Sequence, residues 1–248
     1  MMVRKPPLVG ALIDPVRAGG ELATSVGLMP FLRLLPAGDG HPVLVLPGFM
    51  ASDTSTIPLR TFLKSKGYAV SAWELGRNLG PTPEVMDRMP RLLREVVAEH
   101  GRKASLVGWS MGGIYARWLA RIHPDRVRQI VTLGTPVRSA VENTSNVSTL
   151  FDYLRPYHED GHPGLDDGEP LEVPTTAIHT RSDAIVPWQT CLIDPGAQSE
   201  NVRVSGSHSG LGFNPAALYV VADRLGLEEE SWQPLRVRRW ARSVVTVV

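Results

Sequence analysis

Along most of this chain, short apolar runs alternate with stretches whose apolar positions recur every three or four residues. Val43-Leu44-Val45-Leu46 is apolar throughout and bounded by Pro42 and Pro47-Gly48, which suits a strand buried on both faces. Ile57–Lys66 sets Leu59, Phe62 and Leu63 on one side and stops at Gly67, predicting a helix with a glycine at its end. Tyr68–Trp73 reads as the next strand. Between Pro83 and His100, Val85, Met89, Leu92, Leu93 and Val96 follow the helical period, and Pro90 is expected to kink or divide that helix. Ala104–Gly108 is a short buried strand, Met111–Ile122 a helix, and Val127–Leu133 a strand running into Gly134-Thr135-Pro136. Strand character returns at Thr175–Ile178 and Asn201–Val204, and Pro215–Leu225 closes with a helix. This order predicts one α/β domain over residues 1–248, with a mostly parallel central sheet and helices on both faces.

Three segments fall outside the alternation. Residues 1–40 form a lead-in, with a helical stripe from Gly20 to Leu35 that Pro30 interrupts and Pro36 ends. It is expected to pack on the edge of the domain. Residues 137–172 are polar and rich in Asn, Ser, Asp, Gly and Pro, with Phe151 and Leu154 among a few apolar residues. They are expected to form a small cap or lid. Residues 236–248 are basic, then apolar, and read as a tail.

Composition narrows the function classes. The net charge is +1, from 26 basic and 25 acidic residues, which offers no global field for nucleic acid or an anionic membrane. The one cysteine, Cys191, cannot form an internal disulfide. No apolar run is long enough to span a bilayer, and no clean signal-peptide core is visible. The default expectation is a soluble cytoplasmic protein.

Candidate chemistry centres on Gly108-Trp109-Ser110-Met111-Gly112. It matches G-x-S-x-G and sits between a buried strand and a helix, the setting in which a serine is held on a sharp, strained turn. Side chains at 108 and 112 would collide with such a turn. The free N–H groups of the following helix suit a developing oxyanion. With Gly-Trp-Ser-Met-Gly-Gly and Leu133-Gly134-Thr135-Pro136, the chain resembles the α/β-hydrolase superfamily, and within it the esterase and lipase branch, from about Pro42 to about Leu225.

That resemblance implies Ser110 as nucleophile, followed in the chain by an acid and then a histidine. Among the later histidines, His158 and His162 come too early and His179 ends a strand. His208 lies in the small-residue loop Ser205–Gly210, between the last strand and the last helix. Asp183, in Ser182-Asp183-Ala184-Ile185-Val186-Pro187, follows a strand and resembles the superfamily's acid loop. Asp194 is the runner-up and reads better as a turn residue. The oxyanion donors implied are the N–H groups of Met111 and Phe49, with Met50 as alternative to Phe49. Pro47-Gly48 stands where many members carry His-Gly. Met50, Trp109, Phe151 and Leu154 are candidates for lining a substrate pocket.

Nothing points to a cofactor. His158, Glu159, Asp160, His162, Asp166 and Asp167 fit no standard metal spacing and read as a solvated loop, so no metal is expected. The resulting expectation is a serine esterase or lipase acting on a small-molecule or lipid ester. The short excursion favours short or medium acyl chains. Thioesterase, amidase and acyltransferase chemistry, and a silent binding protein, remain alternatives on the same residues. A transient lipid-interface contact stays open, and the oligomeric state is undetermined.

Overall fold

The computed structural model describes residues 6–138, 145–146 and 168–248. The predicted cap core, including Phe151 and Leu154, and the His158–Asp167 stretch lie outside them. The described elements run α1 (Leu8–Leu32), β1 (Pro42–Leu46), α2 (Asp53–Ser65), β2 (Ala69–Ser71), α3 (Pro83–His100), β3 (Ala104–Trp109), α4 (Met111–Ile122), β4 (Val127–Leu133), β5 (Thr175–His179), β6 (Ser199–Val204), α5 (Pro215–Leu225) and β7 (Val245–Val247). The strands form a seven-stranded sheet in the order β2-β1-β3-β4-β5-β6-β7. All neighbours are parallel except β7, which runs antiparallel to β6. This is the α/β-hydrolase fold.

The central strands β1, β3, β4 and β5 are buried at every position, as strands covered on both faces must be. One core packs α2, α5 and the end of α1 on one face around Val43, Val45, Phe62, Val107 and Tyr219. The other packs α3 and α4 around Leu44, Leu46, Leu93, Leu106 and Leu119. The alternation of side chains along β1 therefore feeds both cores in turn. The strand order reverses between β1 and β3, so their carboxyl ends open a crevice where open α/β sheets place ligands.

Helix ends follow the punctuation. Thr82 Oγ1 accepts from Val85 N at 3.4 Å with Pro83 at the first turn, and Gly101, at φ 62°, ends α3. Asn214 Oδ1 accepts from Ala216 N and Ala217 N to start α5. Pro90 does not divide α3.

Two expectations are corrected. The lead-in helix begins at Leu8, twelve residues before the predicted stripe, and runs through Pro15 and Pro30. Both prolines stand on its solvent side. The residues that hide the helix in the sequence, Asp14 and Arg17, are its protein-facing contacts. The tail is not a free end: Arg239–Ala241 forms a short 3-10 turn and Val245–Val247 pairs with β6. His208 thus precedes a further strand.

The tail is tied down by a buried ion pair. Arg224 Nη1 meets Glu200 Oε1 at 3.0 Å, both side chains almost fully buried, and also donates to Gln233 O at 2.7 Å. Glu200 Oε1 accepts from Thr176 Oγ1 at 2.9 Å and Oε2 from Leu235 N at 2.8 Å. Removing one member leaves the other charge buried with incomplete compensation. Glu200→Ala is expected to lower unfolding free energy by about 3 kcal/mol, read as a fall in the urea midpoint. A midpoint equal to wild type would mean that Asp223, which also meets Arg224, is sufficient on its own.

Candidate active site

Ser110 joins β3 to α4 at φ 52° and ψ −121°, a backbone region that non-glycine residues rarely occupy and that marks strain. Close packing holds it there. A Cβ on Gly108 would lie 2.4 Å from Gly113 Cα, and one on Gly112 would lie 2.2 Å from Leu46 O. Side chains at both positions are therefore excluded. Ser110 N donates to Leu133 O at 2.8 Å, and Thr135 Oγ1 donates to Ser110 O at 2.8 Å. The Leu133–Thr135 turn, noted from sequence only as a family feature, is thus the brace of the elbow.

His208 Nδ1 lies 2.6 Å from Asp183 Oδ2, with both side chains buried. Asp183 Oδ1 accepts from Ile185 N at 2.9 Å and Val186 N at 2.8 Å, so the carboxylate is fixed by its own loop. Burial alone would lower the His208 pKa. The charge and hydrogen bond of Asp183, with a smaller push from Asp14, outweigh it and raise the pKa. The ring sits over Gly134, where an added Cβ would come within 3.0 Å of Nδ1. Ser110 and His208 therefore flank one turn, although no hydrogen bond joins Ser110 Oγ to His208.

The other candidates are placed as follows. Met50, at φ 62°, donates its N–H to Asn78 O at 2.7 Å, which commits the alternative oxyanion donor elsewhere and leaves Phe49 as the candidate in that loop. Met111 opens α4, at the first position, where an N–H group has no intrahelical acceptor. Trp109 is buried: its Nε1 donates to His208 O at 3.1 Å and its ring meets Phe213 edge-on. It supports the histidine loop from below. Asp194 pairs with Arg138 at 2.5 Å, away from His208. His179 stacks on Trp188, and burial, then Arg203 and Arg181, hold its pKa down at about 4. Cys191 is buried, and burial raises its thiol pKa. Among the described residues no cluster could hold a metal ion.

Sequence reasoning missed two supports. Asn78, fully buried, donates its side-chain amide to Pro47 O at 2.9 Å and its N–H to Ala51 O at 2.8 Å, fixing the loop that carries Phe49. The second is the polar face of α1. Asp14 accepts from His208 N at 3.2 Å and Ser209 N at 2.8 Å; Glu21 accepts from Ser207 N at 2.7 Å and Asn214 Nδ2 at 2.6 Å. Arg17 donates to Ser182 O and Gly206 O, each at 3.0 Å. One helix thereby grips the loops of Asp183 and His208 together. The cue was the spacing Asp14-Arg17-Glu21-Ser25, a helical stripe written in polar residues.

A serine elbow at the switch point of this sheet, beside a buried Asp–His pair, is the arrangement of the α/β-hydrolase class, whose fold this chain has. The family model for the α/β hydrolase fold matches residues 42–160. The chain is similar to serine hydrolase BPHL of Mus musculus, with 25% identity over 219 residues, covering 70% of this chain and 75% of that protein. It is also similar to a pimeloyl-(acyl-carrier protein) methyl ester esterase of Aliivibrio salmonicida, with 28% identity over 106 residues, covering 42% of this chain and 40% of that protein. Among solved structures, Aspergillus fumigatus lipase B aligns with a TM-score of 0.57 at 16% identity, over 77% of this chain and 54% of that one. This chain thus spans about half the length of that lipase.

Asp14 is close enough in charge and contact to act on His208. Asp14→Asn keeps the shape but removes the charge and turns an amide towards one buried N–H. The His208 pKa, followed through its ring resonances, is expected to fall, and to fall further in Asp183→Asn. Stability should drop by about 1–3 kcal/mol. An unchanged His208 pKa in Asp14→Asn would confine Asp14 to holding the backbone.

Proposed function

We propose that this protein hydrolyses carboxylic esters through an acyl-enzyme on Ser110. The observation that carries the reading is the Asp183–His208 contact of 2.6 Å beside the strained Ser110 turn. A serine hydroxyl needs a base, and that base needs a carboxylate to fix its tautomer and stabilise the imidazolium. With Nδ1 held by Asp183, His208 turns Nε2 to the task. His208 Nε2 takes the Ser110 proton as Oγ bonds to the ester carbonyl carbon. The carbonyl oxygen becomes an oxyanion that the N–H groups of Met111 and Phe49 receive. The carbon–alkoxy bond then breaks, and the alcohol leaves with the proton from His208. Water repeats the sequence: it loses a proton to His208, attacks the acyl carbon and releases the acid, and Ser110 regains its proton. The missing Ser110–His208 hydrogen bond is compatible with this, because such contacts often tighten only with substrate bound. The substrates proposed are small-molecule or lipid esters, and no cofactor is needed.

The test is hydrolysis of a p-nitrophenyl ester series of rising acyl length by wild type and by Ser110→Ala. Activity should fall at least about a thousandfold in the variant. His208 must be neutral to accept a proton, and its pKa is raised. Activity should therefore decline as pH falls through a value above the ordinary imidazole value of about 6.5. Activity that survives Ser110→Ala would place the chemistry elsewhere. Activity absent from wild type across the series would reject the ester-hydrolase reading.

A further inference from the structure

Helix α1 is turned inside out. Its protein-facing side carries Asp14, Arg17, Glu21 and Ser25, all hydrogen-bonded into the domain. Its water-facing side carries Leu8, Leu12, Val16, Val26 and Phe31, with Leu12 79% and Val16 76% exposed. A surface helix ordinarily buries its apolar stripe and shows its charges. This one shows apolar side chains towards both ends of a 25-residue helix, about 37 Å long, with Gly19, Gly20, Ala23 and Thr24 exposed between them, and exposed apolar surface of this kind marks an interaction site.

The charges indicate the occupant. Residues 8–32 contain two acids, Asp14 and Glu21, and both are spent on backbone and amide N–H groups inside. The sequence sets Arg4 and Lys5 before the helix, and Arg33 follows it. Trp240, 62% exposed, packs edge-on at 4.9 Å against Tyr219 of α5, the helix on which α1 also lies. Around it Arg236, Arg238, Arg239 and Arg242 are exposed, with no ion pair among the described residues. Exposed apolar side chains flanked by cations and an exposed tryptophan match an anionic lipid interface, where Trp and Arg partition between headgroups and acyl chains. A second copy would set the same cations against each other. No described helix is long and apolar enough to cross a membrane.

We propose that the outer face of α1, with the Trp240–arginine tail, docks this protein on an anionic lipid surface. Gly10 packs on Ala184, beside Asp183 (an added Cβ would lie 3.1 Å away), so the docking helix is the one that touches the acid loop of the candidate site. The proposal does not depend on Ser110 being a nucleophile.

The experiment is co-sedimentation of the full chain with phosphatidylcholine vesicles, with and without phosphatidylglycerol. Wild type should sediment with the anionic vesicles and be partly released by salt. Leu12→Glu/Val16→Glu, both outward positions, should lose at least tenfold in partitioning. Arg238→Gln/Arg239→Gln should lose roughly fivefold per arginine on anionic vesicles only. The second pair keeps the test decisive if the first perturbs folding. Failure of wild type to sediment overturns the proposal, as does wild-type binding by both variants. Capture of neither form, with a wild-type dimer that Leu12→Glu/Val16→Glu splits, would assign the face to a second copy and also overturn it. Vesicle binding by a protein without esterase activity would reject the Ser110 reading alone.

Discussion

The crossing of α4 over the ends of β1 and β3 is the constraint from which the site follows. Gly112 lies so close to Leu46 O that no side chain fits, and Gly108 meets Gly113 in the same way. That approach forces the chain to reverse within one residue, and Ser110 takes the strained conformation that results. Strain of this kind persists only where the surroundings over-determine it. Here the surroundings are Leu133 O, which receives the Ser110 N–H, and Thr135, which bonds its carbonyl. A looser sheet would let the serine relax. The buried strands β1, β3 and β4 are therefore part of the site as much as its loops are.

The loops need a second anchor, because a sheet fixes only where its strands end. Asp183 and His208 sit on separate loops after β5 and β6, and in the histidine loop Gly206 and Gly210 leave room for Glu21 of α1, whose Oε2 would lie 2.9 and 2.3 Å from a Cβ added at each. Helix α1 supplies what is missing. Its carboxylates take up backbone N–H groups of Ser207, His208 and Ser209, and Arg17 bridges to Ser182. Turning these polar groups inward leaves the apolar positions outward, since one helix cannot bury both faces on one domain. The exposed apolar surface is thus the geometric counterpart of the clamp.

This arrangement also explains what the sequence could and could not disclose. The α4, β4 and α5 boundaries were legible to the residue, because Ser110-Met111, Leu133-Gly134 and Asn214-Pro215 are local punctuation that acts through backbone geometry. The start of α1 was not legible. Periodicity searches assume that the apolar stripe faces inward, and Asp14, Pro15 and Arg17 broke that pattern where the helix is most firmly held. β7 is three residues long at a sheet edge, too short for alternation to register. The elbow could be read from five consecutive residues. The supports of Asn78 and Asp14 could not, since each acts across long stretches of chain on main-chain atoms that carry no residue-specific mark.

Two carboxylates near one imidazole make opposing demands. Asp183 binds the ring directly, and Asp14 binds the backbone that carries it. Both favour the imidazolium, and together they outweigh a burial that favours the neutral ring. In the proposed reaction that balance stabilises the charge His208 gains in the transition state, but it also leaves more of the ring protonated, and idle, near neutral pH. Asp14 is buried at the end of a helix-borne contact, so its charge cannot be screened by water as an exposed acid's would be. Part of what raises the His208 pKa is therefore carried by α1. A site built from the sheet and its loops alone would keep the larger contribution, that of Asp183, and lose the smaller one of Asp14.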